Sequence, residues 1–163
     1  MVRQLDVNSV TGAVAELCVK SCYYLGEDVV STLKKVLKEE KSPLGRETIS
    51  YIIENAVVSG KDVYPLCQDC GSAVIFIEVG QELQLIGGDI SKAIAQGVRQ
   101  GYQQGYLRKS IVEQPYSTRK NTGDNTPPIV HTEIVAGDKL KVSFMAKGSG
   151  SENMSGLKML KPA

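Results

Sequence analysis

The hydrophobic period changes once along this chain, near residue 60, and that change limits the folds open to it. Upstream, apolar residues recur at helical spacing. Downstream, "SAVIFIEVG" at 72–80 is a β-branched run of strand length closed by Gly80. The chain therefore reads as a helical part, 1–60, followed by a mixed part, 61–163. At 163 residues it is long enough for one domain with a real core and short for two. The expected class is α+β (mixed α/β), an antiparallel helical layer followed by a small mixed sheet with a packing helix.

Three helical segments fill the first part. "SVTGAVAELCVKSCYYLG" sets Val10, Val14, Leu17, Cys18, Cys22 and Leu25 on roughly one face, with Ser9 or Thr11 as start and Gly26 as stop. In "GEDVVSTLKKVLKEEKSPLG" the acidic residues come first and the lysines last, as the helix dipole prefers, and Ser42-Pro43 ends the run. "RETISYIIENAVVSG" repeats Ile49, Ile52, Ile53 and Ala56 at helical spacing. No signal peptide opens the chain and no apolar run approaches a bilayer span, so a cytoplasmic location is expected. With a net charge of +1 and both signs interleaved, neither nucleic acid nor a membrane is expected as a partner.

In the second part "QELQLIGG" is a short partner strand, and "DISKAIAQGVRQGYQQGYLRKS" is a helix starting at Asp89. Its glycines 97, 101 and 105 recur every fourth residue, which points to close packing against another backbone. "PPIVHTEIVAGDKLKVSFMAKG" reads as two strands joined through Ala136-Gly137-Asp138, and the glycine-rich tail is weakly helical.

Three polar, glycine-bearing stretches sit at strand edges, where binding loops lie: "CQDCG" at 67–71, "RKNTGDNTPP" at 119–128 and "KGSGSEN" at 147–153. Each alone is more often a turn than a site. Cys67 and Cys70 form a C-x-x-C, but a zinc site needs four ligands and the other pair, Cys18 and Cys22, reads as buried helix face. The lone His131 lies on a strand and reads as a packing residue. A redox dithiol wants a strand before the motif and a helix after it, and here the order is reversed. One metal-ligating thiolate followed by substrate-handling groups suits the stretch better. Gln68 donates and accepts, Asp69 accepts a proton or positions a water, and Gly71 lets the backbone come close. Arg108 is a bidentate carboxylate clamp, or a surface arginine near a helix end. "KGSGS" is an anion nest or a flexible loop.

In order, "PLCQDCGSAVIF", "GYLRKS", "RKNTGDNTPPIVH" and "KGSGSENMSGLKMLKPA" resemble the N-terminal part of the class I, iron–sulfur-dependent fumarases and the closely related L-tartrate dehydratase α subunits. The resemblance covers essentially the whole chain. It implies a [4Fe–4S] cluster held by three cysteines, with Cys67 as its first ligand and the other two outside this chain. It also implies that Gln68, Asp69 and Arg108 contact substrate, that Asn121 and Thr122 line the site, and that Gly150 adds a backbone contact. Asp69 is assigned the catalytic role of positioning substrate or water. The implied reaction is reversible hydration of a C4 dicarboxylate, fumarate to L-malate.

Two positions depart from the family pattern: Cys70 stands where threonine is usual and Ser149 where glycine is usual. The resemblance further implies an incomplete subunit, inactive alone. It would work with a C-terminal remainder and a β subunit or domain in a homo- or hetero-oligomer. The alternatives are an L-tartrate dehydratase α-subunit part, a non-catalytic C-x-x-C metal-binding module, or an interaction module kept for assembly.

Overall fold

A computed structural model describes residues 2–61, 64–148, 150 and 154–161. Its elements run β1 (Arg3–Asp6), α1 (Val7–Tyr23), α2 (Glu27–Glu39), α3 (Pro43–Ser59), β2 (Ser72–Gly80), β3 (Leu83–Ile86), α4 (Ile90–Gln104), β4 (Ile129–Val135) and β5 (Leu140–Lys147). The mixed α+β class expected from the period change is found.

Helices α1, α3 and α4 begin where a side chain offers an acceptor to free N–H groups. Asp6 accepts from the Asn8 N–H at 2.8 Å, so α1 starts before Ser9 and Thr11, and Asp89 accepts from the Lys92 N–H at 2.9 Å. Ser42 caps α3 with Pro43 in its first turn, where the missing N–H costs nothing. Helix α2 carries Glu27 and Asp28 in its first turn and Lys38 in its last.

The α1–α4 contact organises the core. A Cβ added to Gly97 would lie 2.6 Å from the Thr11 carbonyl oxygen, and one added to Gly101 would lie 2.6 Å from the Cys18 Cβ. The glycines that weaken α4 as an isolated helix thus let it approach α1 backbone to backbone. Val10, Val14, Cys18 and Cys22 of α1 and Ile94, Val98 and Tyr102 of α4 close over Ala73, Ile75 and Ile77 of β2. Helices α2 and α3 pack on each other outside this core: α2 buries no residue and α3 only Ser59.

Strand β2 is the centre of a three-stranded sheet, β4-β2-β5, parallel to β4 and antiparallel to β5. The two strands joined through residues 136–138 are therefore separated by β2. Their connection turns over its end, where Gly80 donates to the Lys139 carbonyl at 2.8 Å. The expected short strand β3 pairs in parallel with β1 rather than with β2. His131 stacks on Phe76 with ring centroids 5.0 Å apart, a packing role. Residues 155–161 form neither helix nor strand, so the described part of the tail lacks the weak helicity expected of it. No helix among the described residues is long and apolar enough to cross a membrane.

Candidate functional site

The approach to Cys67 is fixed one residue earlier. The Leu66 N–H donates to the Cys22 carbonyl at 2.8 Å, and the Leu66 carbonyl accepts from the Asn55 side chain at 2.8 Å. Leu66 is thereby clamped between α1 and α3, and the chain emerges with Cys67 and Gln68 exposed. The Asp69 N–H points back at the Cys67 sulfur, 3.4 Å away, and the Cys67 thiol faces Gln68 Oε1 at 3.5 Å. Asp69 accepts from the Gly71 N–H at 3.1 Å, which folds the stretch into a tight Asx turn.

Gly71 has φ +60°, a left-handed conformation that costs glycine little. A side chain there would also meet the Lys147 carbonyl and, at 2.7 Å, the Gly148 nitrogen. A Cβ at Gly148 would in turn sit 3.2 Å from Asp69 Oδ2. The 67–71 loop therefore lies directly on the end of β5.

Arg108 follows α4 rather than ending it: the helix stops at Gln104, and Tyr106 turns the chain with φ +50°. Its N–H donates to the Cys70 sulfur at 3.3 Å, and its side chain is exposed. The 121–125 turn then ties in. The Asn121 side chain donates to the Lys109 carbonyl at 3.0 Å, and the Thr122 N–H donates to the Ile111 carbonyl at 3.0 Å. Thr122 Oγ1 is buried and finds no hydrogen-bond partner among the described residues. A 290 Å³ cleft lined by Arg99, Gln103, Lys109, Gly123 and Asp124 flanks this turn.

The structure thus brings together Cys67, Gln68, Asp69, the Arg108 segment, Asn121 and Thr122. Around Gly150 the space is open: among the described residues nothing lies within 4 Å of a Cβ added there. Ser149 lies outside the described residues.

Two organising residues were not singled out from the sequence. Asn125, fully buried with φ +62°, donates to the Gly71 carbonyl at 3.1 Å and accepts from the Ser110 and Ile111 N–H groups at 2.7 and 3.3 Å. Tyr102 donates from its hydroxyl to the Cys70 carbonyl at 2.8 Å and lies 3.3 Å from that of Gly71. Tyr102 had a signal, since it follows Ile94 and Val98 at four-residue spacing on the buried face of α4. Asn125 had none beyond its place in a polar turn.

The thiols divide sharply. Burial pushes Cys18 up to about 12, with Cys22 adding to the shift. Burial, reinforced by neighbouring Cys70, pushes Cys22 up to about 11. Burial and the nearby cysteines likewise raise Tyr102. Cys18 and Cys22 are neutral packing groups, as helix-face residues should be. Cys67 alone presents an exposed sulfur. Among the described residues no group of three or more His, Cys, Asp or Glu side chains is placed to hold a metal ion. Beside the loop, Asp124 feels burial that would raise it, but the Thr126 and Arg99 hydrogen bonds prevail and bring it down to about 2.

Comparison with known proteins places the chain in a family. Residues 11–163 match the family model described as fumarate hydratase (fumerase). The chain is 33% identical over 162 residues to the "Putative L(+)-tartrate dehydratase subunit alpha" of Methanocaldococcus jannaschii, covering 94% of this chain and 55% of that protein. It is 27% identical over 163 residues to the L(+)-tartrate dehydratase subunit alpha of Escherichia coli, covering 99% and 54%. The chain spans about half the length of the curated relatives it matches. With the family model matching all but the first ten residues, the chain belongs to the fumarate hydratase (fumerase) family.

Proposed function

We propose that this chain is the N-terminal part of an iron–sulfur hydro-lyase acting on a C4 dicarboxylate, fumarate to L-malate, in the cytoplasm. One observation carries the reading. Polar stretches up to 54 residues apart are hydrogen-bonded to the turn that carries one exposed thiol, with an acid and an amide in that turn and an arginine segment tied to it through Cys70.

The donor set fits a [4Fe–4S] cluster only as a single ligand. Cys67 is exposed and accepts an N–H from its own turn, whereas the Cys70 sulfur is buried and engaged by the Arg108 N–H. That difference in environment also argues against a C-x-x-C metal hook. The remaining ligands would come from a C-terminal remainder of the subunit. A β subunit or domain would complete the site, so that this chain is inactive alone. When bound, the cluster supplies Lewis acidity for departure or arrival of the hydroxyl.

The chain's own residues handle the rest of the substrate. Arg108 pairs with a substrate carboxylate through a bidentate fork, where charge builds as the neighbouring carbon loses its proton. Gln68 orients the second carboxylate. Asp69, its turn fixed by the Gly71 N–H, positions substrate or water. Thr122, whose buried hydroxyl has no partner among the described residues, and Asn121 line the site, and Gly150 offers a backbone N–H.

L-tartrate is the second reading of the substrate, favoured by the names of the relatives. The test is co-expression with a C-terminal remainder and β partner, anaerobic iron–sulfide loading, and assay on fumarate, L-malate and L-tartrate. Faster turnover of fumarate, abolished by Arg108→Ala with iron content intact, supports the proposal. Preference for L-tartrate replaces the substrate. Stable metal held by this chain alone and lost in Cys67→Ser would overturn the single-ligand reading.

A further inference from the structure

We infer that Asn125 is a positioning residue, the buried clamp that sets the Cys67–Gly71 loop against the Arg108 segment. The inference rests on the hydro-lyase reading and adds to it a residue that touches no substrate.

Asn125 is fully buried, and a buried amide must have its donor and acceptor satisfied or it costs stability. Here the two ends serve different loops. The Nδ2 group holds the Gly71 carbonyl at 3.1 Å, and the Oδ1 atom gathers the Ser110 and Ile111 N–H groups at 2.7 and 3.3 Å. Gly71 is the residue whose N–H fixes Asp69, and Ser110 lies two residues beyond Arg108. One rigid, planar side chain therefore spans the two segments that carry Asp69 and Arg108.

The other ties between these parts differ in kind. Asn121 reaches Lys109 from an exposed position, and Tyr102 reaches only the loop side, through the Cys70 and Gly71 carbonyls. Asn125 itself sits at φ +62°, where asparagine is tolerated far better than most residues, so the backbone is shaped to aim this amide inward.

Two substitutions separate the arms. Asn125→Asp keeps the acceptor for Ser110 and Ile111 but turns the donor facing Gly71 into a second acceptor. Asn125→Gly keeps the left-handed backbone and removes both arms. In the complete enzyme, with the C-terminal remainder and β partner present, kcat/KM for the C4 dicarboxylate should fall about a hundredfold in Asn125→Asp, because displaced binding groups lose alignment. Iron and sulfide content should stay at the wild-type level.

Amide hydrogen exchange on this chain supplies a readout independent of activity. In Asn125→Asp the Gly71 amide, which Asp69 holds in the turn whose carbonyl Asn125 anchors, should exchange about tenfold faster as that turn loosens while Ser110 keeps its protection, and in Asn125→Gly both should speed up. Exchange along α1 and α4 should not change. Acceleration spread evenly over α1 and α4 would mean a general stabilising role and overturn the proposal. So would an unchanged Gly71 amide, or full kcat/KM with Gly71 loosened. A wild-type enzyme inactive on fumarate, L-malate and L-tartrate would instead overturn the hydro-lyase reading and the substrate part of this inference with it. The exchange pattern would still decide the clamp.

Discussion

The backbone N–H of Arg108 donates to the buried thiol of Cys70 at 3.3 Å, joining the segment after α4 to the turn after Cys67. Sulfur is a weak acceptor, yet it is the partner this part-buried N–H has, and its loss also empties the buried space the sulfur fills. Cys70→Ala should therefore destabilise the chain by about 1–3 kcal/mol. Cys70→Thr, which puts a hydroxyl in place of the thiol, should cost less because that hydroxyl accepts the same N–H. Urea melts of the three proteins check this. Equal losses in Ala and Thr would mean that filling the space around Cys70, and not the hydrogen bond, matters.

Helices α1 and α4 meet so closely that Gly101 has no room for a methyl group. Its added Cβ would lie 2.6 Å from the Cys18 Cβ and 2.7 Å from the Ala15 carbonyl oxygen. Gly101→Ala should overpack the contact and cost about 1–3 kcal/mol. Gly12, inside α1 but facing open space, should behave oppositely. Gly12→Ala should stabilise by about 0.4–1 kcal/mol through helix propensity and unfolded-state entropy. Thermal melts of the two variants are expected to shift in opposite directions.

What the sequence disclosed and what it hid divide along local and tertiary lines. The α4 start at Asp89 and its glycine face were legible because capping and close approach are written in residue type and spacing. Strand β1 was hidden. Arg3-Gln4-Leu5-Asp6 has one apolar residue, and it is a strand only because β3, some eighty residues away, pairs with it. The insertion of β2 between β4 and β5 was hidden too, since a short connection suggests neighbours and only the buried nine-residue β2 decides otherwise. In the candidate site, Cys67, Gln68 and Asp69 stood out as a polar stretch interrupting an apolar pattern, and Arg108 as a cation near the end of the glycine-faced helix. Asn121 and Asn125 look alike in "NTGDNTPP"; the first is exposed and the second fully buried, and nothing local separates them.

The four cysteines should label very unevenly. Cys22, at about 11, is about one part in a thousand thiolate at pH 8, and Cys18, at about 12, about one in ten thousand, before burial is counted. Cys67 is exposed. Brief iodoacetamide treatment of the native chain followed by peptide mass mapping should find Cys67 carboxamidomethylated and Cys18 and Cys22 unmodified. Denaturant should make all four equivalent. Native labelling of Cys22 at a rate near that of Cys67 would mean that the end of α1 opens readily, contrary to the packing of Cys22 in the core.

Asp124 should make the stability of the chain pH-dependent in the acid range. Its carboxylate accepts from the Thr126 N–H and hydroxyl at 3.0 and 2.7 Å and pairs with Arg99 at 2.8 Å, which lowers it from 3.8 to about 2. Because the folded value lies below the unfolded one, the unfolded state takes up the proton first as pH falls. The stabilisation is therefore complete above about pH 5, shrinks below pH 4 and is gone once the folded group titrates near pH 2. Partial solvent exposure of the pair limits it to about 1 kcal/mol. Asp124→Asn, which keeps acceptors for Thr126 but loses the charge facing Arg99, should be less stable than wild type by that amount at pH 7 and indistinguishable from it near pH 2. Denaturant melts of both proteins at pH 7, 4 and 2 give the comparison. A gap that persists undiminished at pH 2 would assign the difference to lost hydrogen-bond geometry rather than to charge.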